Sequence, residues 1–120
     1  MSDARRVRTA LLELHRELLA AQRIQAERFS GRMSSSEVLQ AAADDLRFDW
    51  LRTLSGLVAE LDDALSEEED ERVAAAVEGA RALLAPPDPT TPFGARYLQA
   101  LQDHPEVVMA HSAVTAALGR

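Results

Sequence analysis

Apolar residues recur along this chain at intervals of three and four, and no stretch alternates strictly between apolar and polar. That spacing is the mark of amphipathic helices. The first run covers about 3–29, where Val7, Leu11, Leu14, Leu18 and Ala21 form one stripe. Leu12 and Leu19 lie beside it and widen it, so this helix is expected to touch two neighbours. Gly31 is the expected stop. In "SSSEVLQ", Ser34 and Glu37 have the spacing of a capping box and open a short helix through Val38, Leu39, Ala42 and Leu46.

A third helix carries Leu51, Leu54, Val58, Leu61 and Leu65, with Trp50 and Leu57 flanking the stripe. Asp49, Gly56 and Asp63 fall on the opposite, wet side. Phe48, Trp50, Leu51, Leu54 and Leu61 are therefore expected to anchor the core. A buried indole needs an acceptor for its N–H, and the local sequence does not identify one. A fourth helix over about 68–85 turns Val73, Val77, Ala80 and Leu84 inward. The stretch "APPDPTTP", 85–92, has too many prolines to be helical and reads as a stiff internal linker. Thr91-Pro92 restarts a helix with proline in its favoured first position, carrying Phe93, Tyr97, Leu98 and Leu101. Asp103-His104-Pro105 breaks the chain again, and a last helix with Val107, Val108, His111, Val114 and Leu118 closes at Gly119. The expected fold is all-α: one domain over 1–120, an antiparallel four-helix-type bundle with two arms broken into shorter helices, five to six in all.

Composition narrows the function. There are no cysteines, which excludes disulfides, thiol nucleophiles and thiolate metal sites. All 13 basic residues are arginine, a bias that fits a GC-rich bacterial genome. Neither a signal-peptide run nor a membrane span is visible, so a cytoplasmic setting is expected and a membrane is not. Residues 1–60 hold nine arginines and nine acids, whereas 61–120 hold four and eleven, so the net charge of −7 lies in the second half. An acidic domain repels phosphate backbones, which disfavours nucleic acid as a partner. The run "SEEEDE", 66–71, fits a helix N-terminus better than a metal site, since it lacks the alternation and glycine of a calcium loop.

Two histidines stand on apolar faces. Leu11, Leu12, Leu18 and Leu19 surround His15 at helical spacing, and Val107, Val108, Val114 and Thr115 surround His111. Burial would keep both rings neutral and in need of hydrogen-bond partners. A core polar role is the default reading of each. The sharper alternative is a small-ligand or metal site where His15 and His111 meet, with Asp62 as a third member. Neither histidine has glutamate three residues before it, so the di-iron bundle pattern is missing, and no H-E-x-x-H is present. Ser55, Asp62 and a histidine form a triad only on paper, since serine and aspartate lie seven apart on one helix. No phosphate loop or nucleophile elbow occurs. His104, beside a proline, is expected to cap or to be exposed. Arg52 is placed to pair with Asp49 or to clamp the short second helix through carbonyls or Asp45.

The segments "LHRELL" (14–19), "SSSEVLQ" (34–40), "FDWLRTLSGLV" (48–58) and "AHSAV" (110–114) resemble a group of small bacterial helical proteins with an F-x-W-L-R-x-L-S-x-L-V core. The resemblance draws in His15, Phe48, Trp50, Leu51, Arg52, Leu54, Ser55 and His111. It departs at Thr53, where proline is expected, and at Leu46. The group has no established activity, so the resemblance implies a bundle and no chemistry. No catalytic residue and no cofactor is expected. A noncatalytic interaction or regulatory protein, with a second copy or another protein as partner, leads the alternatives. A ligand- or metal-binding bundle centred on His15 and His111 follows it.

Overall fold

In a computed structural model, which describes residues 3–44 and 46–119 apart from the side chains of 29, 30, 43 and 44, the backbone forms six α-helices and one 3-10 segment. They are α1 (Ala4–Ser30), α2 (Ser35–Asp44), the 3-10 segment (Leu46–Leu51), α3 (Arg52–Ser66), α4 (Asp70–Leu84), α5 (Pro92–Asp103) and α6 (Pro105–Leu118). No strand occurs among the described residues. The fold is an all-α bundle, as the apolar spacing predicts.

The helix ends follow from local chemistry. The Asp3 carboxylate accepts the Arg5 N–H and caps α1. Gly31 ends α1 with φ +81°, the region open to glycine at little cost. Ser34 and Glu37 close the expected capping box: the Glu37 N–H donates to Ser34 Oγ at 3.1 Å and the Ser34 N–H to Glu37 Oε1 at 2.8 Å. Thr91 Oγ1 accepts the Gly94 N–H at 2.9 Å, and Pro92 follows at the first helical position of α5. The end of α3 is less ordinary. The Glu69 N–H reaches the Ala64 carbonyl and the Glu68 N–H the Leu65 carbonyl, which is the Schellman pattern. Its left-handed residue is Glu68, at φ +56°, where glycine would be expected.

α1 is the spine. Its 27 residues rise about 40 Å, close to the 44 Å long axis of the molecule. It packs against four elements, α6, α3, α4 and the 3-10 segment, where the stripe predicts two neighbours. Arg5, Arg6 and Glu13 lie beside Ala113 and Ala117, while Gln25 and Arg28 lie beside Gln99 and Asp103. α6 therefore runs antiparallel to α1, and α5 folds back against α6, where Tyr97 reaches His111. Val7, Leu11, Leu14 and Leu18 are fully buried, as are Leu54, Leu61, Leu84, Tyr97, Val107 and Val114 from the surrounding helices. Arg72 on α4 ties that helix to α3 through Glu60 at 2.9 Å and Asp63 at 2.7 Å, and also pairs with Glu69.

Three expectations need correction. Phe48 and Trp50 do not open the third helix; they stand on the 3-10 segment before it. With about three residues per turn, that segment stacks Phe48 and Leu51 on one side, and both are buried. Leu39 and Leu46, apolar positions of the expected second helix, are 69% and 83% exposed. The helix buries Val38, as expected, together with Ala41, and stops at Asp44, so Leu46 belongs to the next element. Leu12, expected to widen the α1 stripe, is 48% exposed.

Candidate functional site

His15 projects from α1 toward α3, where its Nε2 lies 2.6 Å from Ser55 Oγ. Ser55 Oγ also lies 3.1 Å from the Leu51 carbonyl and donates to it. A hydroxyl has one hydrogen. With that hydrogen on the Leu51 carbonyl, the imidazole donates Nε2–H to Ser55. Burial lowers the His15 pKa below the ordinary histidine value, so the ring is neutral at pH 7. Asp62 shares the same shallow depression, lined by Leu12, His15, Ser55, Val58, Ala59 and Asp62. Its carboxylate is engaged by Arg8 at 2.8 Å. Ser55 stands in the first turn of α3 with its hydroxyl hydrogen on the Leu51 carbonyl, so the Ser55–His15 contact has the form of a core hydrogen bond.

His111 is held elsewhere. Its Nδ1 lies 2.6 Å from the hydroxyl of Tyr97, which is fully buried. Burial raises the Tyr97 pKa and lowers that of His111, so the phenol keeps its proton and donates to a neutral ring. His15 and His111 thus bond to different partners on different helices. The geometry explains why. α6 packs on the face of α1 that carries Ala10 and Glu13, and His15 is turned about 140° and 200° from them at 100° per residue. Among the described residues, no three His, Asp or Glu side chains are grouped to hold a metal ion.

Tyr97 is the third ring in a row of four that His111 ends. Trp50 packs against Phe93 at 5.7 Å between centroids, Phe93 stacks on Tyr97 at 5.4 Å, and Tyr97 meets His111 at 5.5 Å. The row joins the 3-10 segment to α5 and α6. At its other end the Trp50 indole N–H donates to Gln22 Oε1 at 2.9 Å. Gln22 is the acceptor that the sequence leaves unidentified, and it is 95% buried, with 5% of its surface exposed. One sequence signal points to it: Gln22 falls four residues after Leu18, a polar group on an otherwise apolar stripe.

Trp50 and Gln22 also line an open depression of about 210 Å³ between α1 and α5, with Gln25, Arg28, Arg96, Gln99, Asp103 and His104 around them. His104 stands between α5 and α6, and its side chain makes no capping hydrogen bond. Arg52 is exposed and pairs with Asp49 at 3.0 Å. Asp45, the other carboxylate considered for it, lies outside the described residues.

Fold and site together define a small helical bundle in which His15, Gln22 and His111 are bonded across elements to Ser55, Trp50 and Tyr97. No family model, curated protein or solved structure matches the chain; the resemblance through the segments 14–19, 34–40, 48–58 and 110–114 rests on those residues alone. Among the described residues, no helix is long and apolar enough to cross a membrane.

Proposed function

We propose that this chain is a noncatalytic helical interaction protein, and that its partner is a second copy docked on the lobe formed by α2 and the 3-10 segment. Two exposed leucines carry the reading. Single exposed apolar side chains are ordinary, but Leu39 and Leu46 are 69% and 83% exposed on two elements that pack together. Covering a leucine fully contributes about 2 kcal/mol, so burying these two on each copy supplies much of what a weak symmetric dimer needs. The noncatalytic part is supported by the engaged state of the candidate chemistry: Ser55 on the Leu51 carbonyl, His15 on Ser55, His111 on Tyr97 and Asp62 on Arg8.

Size-exclusion chromatography with light scattering tests it over a roughly hundredfold concentration range. The expected mass rises toward twice 13.1 kDa, and Leu39→Gln with Leu46→Gln returns it to one copy. A single copy at every concentration would remove the reading.

A further inference from the structure

The depression beside Trp50 holds groups whose hydrogen-bonding capacity the protein itself does not use. Gln22 is the first. An indole N–H only donates, so the Gln22 oxygen must face Trp50 Nε1 and its amide nitrogen must face the other way. No described residue accepts from that nitrogen, although Gln22 is 95% buried and lines the depression. That nitrogen is not among the buried unpartnered side-chain atoms, so it opens to the depression and is free to donate to a bound acceptor.

The arginines are the second observation. The chain carries seven more acids than bases, and Arg8, Arg16, Arg23, Arg72 and Arg81 all have carboxylate partners. Arg28 on α1 and Arg96 on α5 line this depression from two helices, and neither bonds to any described residue. The one carboxylate there, Asp103, accepts from Gln99 Nε2 at 2.9 Å. Two guanidiniums against one carboxylate leave a local positive charge in an acidic molecule. By contrast, Arg5 and Arg6 border an open surface in which every lining residue is exposed or partly exposed except Ala117.

We propose that this depression binds a small organic monocarboxylate with a flat apolar body. The carboxylate accepts from Gln22 and pairs with Arg28 and Arg96, while the flat body lies against Trp50. An open depression of about 210 Å³ has room for a ligand of the size of benzoate. The site goes beyond the interaction reading and does not involve Leu39 or Leu46.

The single tryptophan gives a direct readout, because the indole N–H yields one cross-peak in a nitrogen–proton correlation spectrum. Benzoate and its uncharged isostere benzamide are titrated in parallel. The expected result is a saturable shift of the Trp50 peak with benzoate and at least about tenfold weaker binding of benzamide. Arg28→Gln with Arg96→Gln should weaken benzoate by at least about tenfold, and both positions are exposed, so folding is preserved. Gln22→Glu keeps an acceptor for the indole but removes the donor, and it should abolish the shift in a chain whose helical circular dichroism is unchanged. An indole peak unmoved by benzoate at about 20 mM, far above a millimolar dissociation constant, overturns the proposal. Equal response to benzamide overturns it too, as does undiminished benzoate binding by the arginine double variant.

Discussion

Adding one methyl group at three glycines should give three different answers, because the space around them differs. At Gly56, on the wet side of α3, a Cβ would meet no atom within 4 Å. Gly56→Ala then gains helix propensity and restricts the unfolded chain, and should stabilise by about 0.5–1 kcal/mol. At Gly79 the methyl would come within 2.9 Å of Leu57 Cδ2, where α4 crosses α3. That atom ends a flexible side chain, so it can yield. The propensity gain and the repacking cost should roughly cancel, to within about 1 kcal/mol. Gly94 is the severe case. Its methyl would lie 1.7 Å from the backbone oxygen of Asp88 and 2.5 Å from that carbonyl carbon. The same oxygen accepts from the Thr91 N–H at 3.2 Å and from Thr91 Oγ1 at 2.9 Å.

Relieving the clash moves the turn that caps α5. The cap contributes about 1 kcal/mol, and each bond to the Asp88 carbonyl about the same. After the alanine propensity gain, Gly94→Ala should cost about 2–3 kcal/mol. Urea unfolding followed by circular dichroism reads all three variants. With a slope of about 1–3 kcal/mol per molar urea, the Gly94→Ala midpoint should fall by about 1 M or more while Gly56→Ala rises. A Gly94→Ala midpoint within about 0.3 M of the parent would mean that the linker does not hold α5 in the way described. So would equal losses at Gly56 and Gly94.

Glu68 occupies the left-handed position of the turn between α3 and α4 at φ +56°. Glu68→Gly should therefore stabilise the chain by about 0.5–1 kcal/mol, and a loss of stability in urea unfolding would count against the Schellman assignment. Stability should also fall with pH below about 6.5. Burial lowers the pKa of His15 and of His111 in the folded chain, while both titrate near 6.5 when it unfolds. The unfolded state thus takes up protons first, and stability is complete above 6.5 and declines beneath it. Urea midpoints between pH 7.5 and 5.5 measure this window, which lies above carboxylate titration near 4.5. His15→Gln should flatten the slope, and an unchanged slope in that variant would show that His15 is not held neutral.

The elements were legible in the sequence wherever one helix makes its own signal. The α1 stripe, the Ser34–Glu37 box, the Thr91-Pro92 start and the break at Pro105 each depend on residues within a few positions, and each appears at the expected place. Phase was lost where the repeat changed. An α-helix turns 100° per residue and a 3-10 helix about 120°, so a stripe extended from Val38 to Leu46 drifts off the buried side once α2 stops at Asp44. Nothing local announces that change.

The partners of the polar groups were illegible for a different reason. Each odd residue could be seen alone: a histidine among leucines, a glutamine on an apolar stripe, an indole in need of an acceptor. The bonds that explain them span 40 residues from His15 to Ser55, 28 from Gln22 to Trp50 and 14 from Tyr97 to His111. Which face of α1 meets α3 and which meets α6 decides those pairs, and that depends on how all the stripes pack at once. The same packing separates His15 from His111 and brings Gln22, Arg28 and Arg96 around Trp50. The residues that best fit an acidic ligand are therefore ones that look, one at a time, like ordinary surface arginines and a misplaced amide.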